Sequence, residues 1–284
     1  MTDIIIVTHN SEKFIEHCLN SIPKNYRIII IDNASKDKTK EIVKKFENVK
    51  LIENKKNIGF TKAVNQGIKE TRSEFILLLN PDIIVLGDAI KKLEEFMKVH
   101  PECGAVAPQL LNPDLTIQNS CRKFPTPFNI FLEFMLLPRI FKKLSLWKMG
   151  YFKHNKLCEV EQPMASAIMI RKKVFKKIGY FNEKYKNYVS DVDFCYRMKK
   201  EGFKIYFYPD AKMIHYLGRT MKMYPLKSVI ELHHSLYKFL KENYDKKFLL
   251  IIDGFLLYFS MLIRVFFLLF FKFFKNIFRC FFTR

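Results

Sequence analysis

A short apolar run, Phe75 to Leu79, stops at Asn80-Pro81-Asp82. Pro81 lacks an N–H and restricts the residue before it, so the run must end there. Asp82 is left as a single carboxylate just past a buried strand. Alone, this is most simply a turn Asp; the position also suits Mg2+ or Mn2+ shared with substrate phosphates, because these hard ions bind oxygen and Mg2+ takes most of its ligands from water and substrate. A second run, Tyr26 to Ile31, ends at Asp32, with Asn33, Ser35 and Asp37 following at turn spacing. A strand-end Asp can accept hydrogen bonds from a ribose or a pyrimidine N–H, and the Ser and Asp after it suit helix capping. Thr8-His9-Asn10 follows a third run, Ile4 to Val7.

Three further stretches carry polar groups with chemical potential. In NIGFTKAVNQGI, Asn57 to Ile68, Gly59 and Gly67 flank a helical segment bearing Asn65. It is either an ordinary helix with permissive glycines or a helix N-terminus whose N–H groups suit an anion. In SDVDFCYRM, Asp193 and Arg197 stand four residues apart and pair on a helix, which leaves Asp191 outside that pair and available as a base. His215 ends the extended stretch Lys212 to Ile214. There is no G-x-x-x-x-G-K-[ST] loop and no G-x-G-x-x-G after the first strand, which argues against an ordinary ATPase or a nicotinamide dehydrogenase.

The elements that must position these groups alternate regularly through the first hundred or so residues. Extended runs at Ile4–Val7, Tyr26–Ile31, Val49–Ile52 and Phe75–Leu79 are separated by helical spacing over Ser11–Ser21, Lys38–Phe46 and Thr61–Thr71, with another helix over Ala89–Val99. Continuous apolar runs bounded by turns imply strands buried on both faces, hence a mostly parallel sheet flanked by helices. Ligands of such α/β sheets bind beyond the carboxyl ends of the strands, where Thr8, Asn10, Asp32, Asp82 and His215 all fall.

The chain has 284 residues and is 49% apolar, enough for a substantial core and against bulk disorder. Its formal charge of +21 is concentrated where Phe and Leu are also dense, which favours an anionic membrane surface over nucleic acid. No RNP-type aromatics, helix-turn-helix or zinc pattern supports nucleic-acid binding. The six cysteines are scattered, with no C-x-x-C, as expected of reduced cytosolic thiols rather than a disulfide framework or a zinc site. The N-terminus enters a strand at once and carries no secretory signal pattern.

Taken in order, IIIVTHN, IIIIDNASKD, NIGFTKAVNQGI, LLLNPD, GAVAPQLLNPD and IGYFNEKY…SDVDFCYRMKKEGF…YPDAKMIH resemble the inverting nucleotide-sugar glycosyltransferases of family 2, over roughly Asp3 to Arg219. The N-P-D in place of D-x-D is similar to the rhamnosyltransferase-like branch. The resemblance implies a GT-A fold and a nucleoside-diphosphate sugar donor. It implies that Thr8, Asn10 and Asp32 hold the nucleobase and ribose, and that Asn57, Gly59 and Asn65 shape the donor pocket. Asp82, completed by His215, would bind the Mg2+ or Mn2+ that bridges the diphosphate. Asp191 would be the general base. One base gives inversion, and no second, nucleophilic carboxylate stands out. The departures are Asn80 where Asp is frequent, Ser190 where Glu is frequent, Ala165 where Gly is frequent and Gln162 where an aromatic residue is frequent.

The expected organisation is a catalytic domain over 1–225 and a helical, basic, Phe-rich tail over 226–284. Phe248–Phe271 is long enough to span a bilayer, but Asp253 and Arg264 interrupt it at roughly 2.5–3.5 kcal/mol each near the bilayer centre. The tail is therefore expected to lie in the interface of an anionic membrane, with a tail anchor second. Phe128–His154 offers either a second such surface or a core helix with a solvated basic face. The expected function is sugar transfer to a lipid-linked or glycan acceptor at the cytosolic membrane face. The alternative is a catalytically degenerate membrane scaffold of the same fold.

Overall fold

The computed structural model describes residues 2–134, 145–216, 225–244, 254–255, 258–259, 261–262 and 265–266. Contacts divide the chain into one unit of residues 1–124 and 148–217 and a second of 125–147 and 218–284. The first unit is the α/β domain. It ends at residue 217, and residues 125–147, which the expected 1–225 domain included, fall in the other unit.

In chain order the first unit runs β1 (Thr2–Thr8), α1 (Ile15–Asn20), β2 (Arg27–Asp32), α2 (Thr39–Val43), β3 (Val49–Glu53), α3 (Phe60–Lys69), β4 (Phe75–Leu79), β5 (Ile83–Val85), α4 (Ala89–Val99), β6 (Cys103–Leu111) and β7 (Cys121–Arg122). After α5 (Pro127–Phe134), which lies in the second unit, come β8 (Cys158–Glu159), β9 (Gln162–Pro163), β10 (Ala167–Arg171), α6 (Lys172–Ile178), α7 (Ser190–Lys200) and β11 (Lys204–His215). The second unit also holds α8 (Pro225–Asn243).

The main sheet has the order β3-β2-β1-β4-β10-β6-β11-β5, with β8 added to β11. Strands β3, β2, β1 and β4 are mutually parallel, and β11 is parallel to β6. β10 runs antiparallel between β4 and β6, so β6 and β11 point the same way as β4. The carboxyl ends of β1, β2, β4, β6 and β11 therefore share one edge. β10 contributes its amino end to that edge.

The strand residues alternate between two cores, as a period of two requires. Ile4, Ile6, Ile28, Ile30, Leu77 and Leu79 pack with Ile15, Leu19, Ile90 and Leu93 of α1 and α4. Ile5, Ile76 and Leu78 pack with Val64 and Ile68 of α3 and with Phe194 and Met198 of α7. Each fully buried Ile or Leu contributes about 1.5–3 kcal/mol, and a run such as β4 is unbroken because both of its faces are covered. Gly67 lets α3 approach β1 closely, since a Cβ there would lie 2.7 Å from the Ile5 side chain.

A buried cation braces one end of this frame. Arg171, at the end of β10 and 8% exposed, donates from Nε to Cys103 O (3.2 Å), from Nη1 to Glu74 (2.8 Å) and from Nη2 to the carbonyls of His100 and Met97. Its guanidinium lies 5.1 Å from the Phe75 ring centre. The five described cysteines are free thiols, and Cys280 lies outside the described residues.

Candidate active site

At the carboxyl edge, Thr8 and Asp32 are register partners at the ends of β1 and β2. The Thr8 hydroxyl donates to Asp32 Oδ1 (3.0 Å) and the Ser35 N–H to Oδ2 (2.9 Å). Asn10 takes a positive φ of 52°, accepts from the Lys36 N–H at 2.8 Å and donates its own N–H to the Ser35 hydroxyl. Two loops are thereby laced together and bring Thr8, Asn10 and Asp32 into one cluster. A carboxylate has about four lone-pair sites, so Asp32 keeps acceptor capacity beyond its two internal bonds.

Asn57 joins this cluster through Asn33, a residue with no periodic signal of its own. Asn33 Nδ2 donates to Asn57 Oδ1 (3.0 Å), which also accepts from the Gly59 N–H (2.9 Å). Gly59 has φ 90°, and a Cβ there would come within 2.7 Å of the Lys186 side chain, so the position demands glycine. The first N–H groups of α3 are not open to an anion. Thr61 donates to Lys186 O (3.1 Å) and Phe60 to Asn187 Oδ1 (3.2 Å). Of the two readings of this helix start, the ordinary helix fits and the anion site does not: the segment before α7 caps it. Asn65 serves that same junction. Its amide donates to Phe181 O (2.9 Å) and Glu183 (3.1 Å) and accepts from the Phe181 N–H (3.0 Å), which braces α3 against the 181–187 segment.

Asp82 and His215 meet across the β5–β11 ladder. His215 pairs with Ile83, and the Tyr216 N–H donates to Asp82 O at 3.0 Å. His215 Nε2 lies 3.6 Å from Asp82 Oδ1, and its Nδ1 lies 2.8 Å from Gln118 Oε1. Burial lowers the imidazole from 6.5 to about 4, so it is neutral near pH 7. Beneath the turn, burial and the negative charge of Asp82 both push the Cys18 thiol up. Among the described residues no group of three or more His, Cys, Asp or Glu could hold a metal. A carboxylate oxygen and a neutral imidazole nitrogen at this separation nevertheless fit two adjacent positions on a divalent ion that draws its other ligands from phosphate and water.

Asp191 opens α7. Its Oδ1 accepts from the Val192 N–H (3.0 Å), its Oδ2 accepts from Gln162 Nε2 (2.9 Å), and the Ala165 N–H also donates to it. Burial raises its carboxyl above the ordinary 3.8, against the opposing charge of Arg122. Arg122 and Gln162 face each other across the small β7–β9 ribbon. The turn at Asp82 belongs to the same neighbourhood, because the Asn80 N–H donates to Ser166 O (2.8 Å), the residue after Ala165. Gln118, Arg122 and Gln162 were not among the sequence-derived site residues. Gln162 alone had left a trace, as a departure from the family pattern. The expected Asp193–Arg197 pair forms at 2.8 Å and keeps Asp193 apart from Asp191.

Strand ends that gather polar groups at one edge of a mostly parallel sheet, with an antiparallel strand inserted beside β4, define a GT-A-type fold. The chain belongs to glycosyl transferase family 2, whose family signature matches residues 3–179. Asp191 and His215 lie beyond that match. The chain is similar to the N-acetylglucosaminyl-diphospho-decaprenol L-rhamnosyltransferase of Mycobacterium tuberculosis, at 26% identity over 86% of each chain. It is 29% identical to a low-salt glycan biosynthesis hexosyltransferase of Haloferax volcanii, over 71% of this chain and 62% of that one. The fold is shared with a mannosyltransferase from Pyrobaculum calidifontis solved with GDP-Man and Mn2+ (TM-score 0.60, 15% identity, 93% of this chain and 72% of that one). It is also shared with S. aureus TarS 1-349 in complex with UDP (TM-score 0.53, 20% identity, 83% and 64%). The chain is a glycosyltransferase by family and fold.

Proposed function

We propose that the chain is an inverting, divalent-metal-dependent glycosyltransferase. It moves a sugar, with rhamnose the first candidate, from a nucleoside diphosphate to a lipid-linked or glycan acceptor at the cytosolic face of a membrane. The observation that carries this is the shared edge, where the Asp82–His215 pair stands near the half-buried carboxylate of Asp191, held by Gln162 and the Val192 N–H. Thr8, Asn10 and Asp32 bind the nucleoside end, with Asn57 and Gly59 shaping the loop beside it. Asp82 and His215 would hold the divalent ion, which when bound neutralises charge on the departing diphosphate. Asp191 takes the proton of the acceptor hydroxyl, and Gln162 and the Val192 N–H orient its two oxygens. Asp193, the carboxylate nearest to Asp191 in sequence, is bound to Arg197, which favours a single base and so inversion. The likeness to the mycobacterial N-acetylglucosaminyl-diphospho-decaprenol L-rhamnosyltransferase supports the choice of rhamnose and of a lipid-linked acceptor.

Calorimetry with dTDP-, UDP- and GDP-sugars, with and without Mn2+, tests the reading. One donor is expected to bind tightly only with Mn2+ and to lose most of that affinity in Asp82→Ala. Metal-independent binding, or an Asp82→Ala variant that binds as wild type, would remove the metal role. No binding to any donor would favour the scaffold alternative.

The membrane face is supported by the second unit. Phe128, Phe255, Phe259, Leu262 and Phe266 are exposed, and the Phe255 and Phe259 rings are stacked at 6.1 Å. No helix among the described residues is long and apolar enough to cross a membrane. Lys272, Lys275, Arg279 and Arg284, on which the charge argument leans, lie outside the described residues, as does Arg264. Apolar side chains beside excess positive charge favour the interface of an anionic bilayer. A chain truncated after Asp245 is expected to lose sedimentation with phosphatidylserine-containing vesicles. Unchanged sedimentation would refute attachment through the tail.

A further inference from the structure

His215 is gripped from the side away from Asp82 by a residue 97 positions earlier in the chain. Gln118, 5% exposed, lies with Oε1 2.8 Å from His215 Nδ1, while its Nε2 donates to His215 O (3.2 Å) and to Asn112 Oδ1 (3.0 Å). The direction of every bond is set from the far end of the chain of contacts. Asp114 is exposed, and two donations from Thr116, its N–H at 3.0 Å and its hydroxyl at 2.6 Å, hold its carboxyl below the ordinary range. An ionised carboxylate only accepts, so the Thr116 hydroxyl is committed to it as donor. That hydroxyl therefore accepts from Asn112 Nδ2 (2.9 Å), which turns Asn112 Oδ1 toward Gln118 as an acceptor.

Gln118 then has one possible orientation. Rotating its amide would set its oxygen against the oxygens of Asn112 and His215 at 3.0 and 3.2 Å. With Oε1 facing the ring, His215 must carry its proton on Nδ1, since a lone pair there would face another at 2.8 Å. The lone pair on Nε2 consequently faces Asp82 Oδ1 at 3.6 Å. Two electron-rich atoms are thus set side by side, an arrangement that a divalent cation bound by both would favour.

We infer that Gln118, braced by Asn112, Thr116 and Asp114, is a positioning residue that fixes the Nδ1–H tautomer of His215 and so presents Nε2, beside Asp82, to a divalent cation. This rests on the metal role proposed above and adds the element that prepares the ligand. Partners of this kind on metal-binding histidines are worth about 10–100-fold in metal affinity.

The test uses the whole chain and two readouts besides turnover. Long-range 1H–15N NMR reads the tautomer of His215, and Mn2+ titration by electron paramagnetic resonance reads affinity for the metal alone. Wild type is expected to show Nδ1–H. Gln118→Met, close in volume but without a strong acceptor, should lose that tautomer and bind Mn2+ about 10–100-fold more weakly. Gln118→Glu, which keeps an acceptor for Nδ1–H, should retain it. In a His215→Ala background, Gln118→Met should have no further effect on Mn2+ affinity. An Nε2–H tautomer in wild type would overturn the inference. So would a folded Gln118→Met protein with wild-type tautomer and affinity, and in that case the metal role would stand. Wild type that shows Nδ1–H but takes no Mn2+ would instead overturn the metal role and, with it, the assignment of Nε2 as a ligand.

Discussion

Asp191→Asn is expected to lower turnover by about 10²–10⁴-fold, the range over which a positioned general base contributes, while donor affinity stays within a small factor of wild type. The substitution keeps the shape and removes only the capacity to accept a proton. kcat and kcat/KM should fall together, as they do when a group acts only in the transition state. The site also sets a pH signature. Burial raises Asp191 above 3.8, so the acid limb of kcat/KM should lie above that value in wild type. Gln162 donates to the charged carboxylate at 2.9 Å and favours that form. Gln162→Leu should therefore move the acid limb to still higher pH, because the neutral acid gains ground when the donor is lost. Stopped assays across the acid range, with calorimetry of donor binding as the control for folding, measure both effects. Full turnover in Asp191→Asn would exclude it as the base.

The largest expected loss of stability is at Arg171. Arg171→Ala removes a buried cation that satisfies the carbonyls of Cys103, Met97 and His100 and pairs with Glu74. Glu74 is largely exposed and can return to water, but the carbonyls lose their donor inside the fold. Breaking a buried charged network of this kind costs about 3–5 kcal/mol. For a domain of this size that lowers Tm by roughly 10 °C, which thermal unfolding followed by circular dichroism would show. The expectation is specific to β10, the antiparallel strand between β4 and β6, since Arg171 ties its end to the carbonyls around the end of α4 and the start of β6. A shift below 2 °C would mean that water replaces the guanidinium at no cost.

Much of this arrangement is local and was legible in the residues. β-branched and other apolar runs bounded by turns mark β1, β2 and β4. The polar residues at or just past their ends, Asn10, Asp32 and Asp82, lie at the carboxyl edge because parallel strands share a direction. The Asp193–Arg197 pair is dictated by helical spacing alone. The start of α3 was not legible. Residues 57–68 left an ordinary helix and an anion site equally open, and Lys186 and Asn187, well over a hundred residues later, decide it by taking the N–H groups.

The sequence by itself determined which residue types stand at the strand ends, because the spacing of apolar residues and the turn chemistry of Asn-Pro-Asp act over a few neighbours. Only the tertiary structure decided which of them face one another and in which state. Gln162 reaches Asp191 across 29 positions and Gln118 reaches His215 across 97. Burial, which no window of sequence reports, raises the carboxyl of Asp191 and keeps the imidazole of His215 neutral.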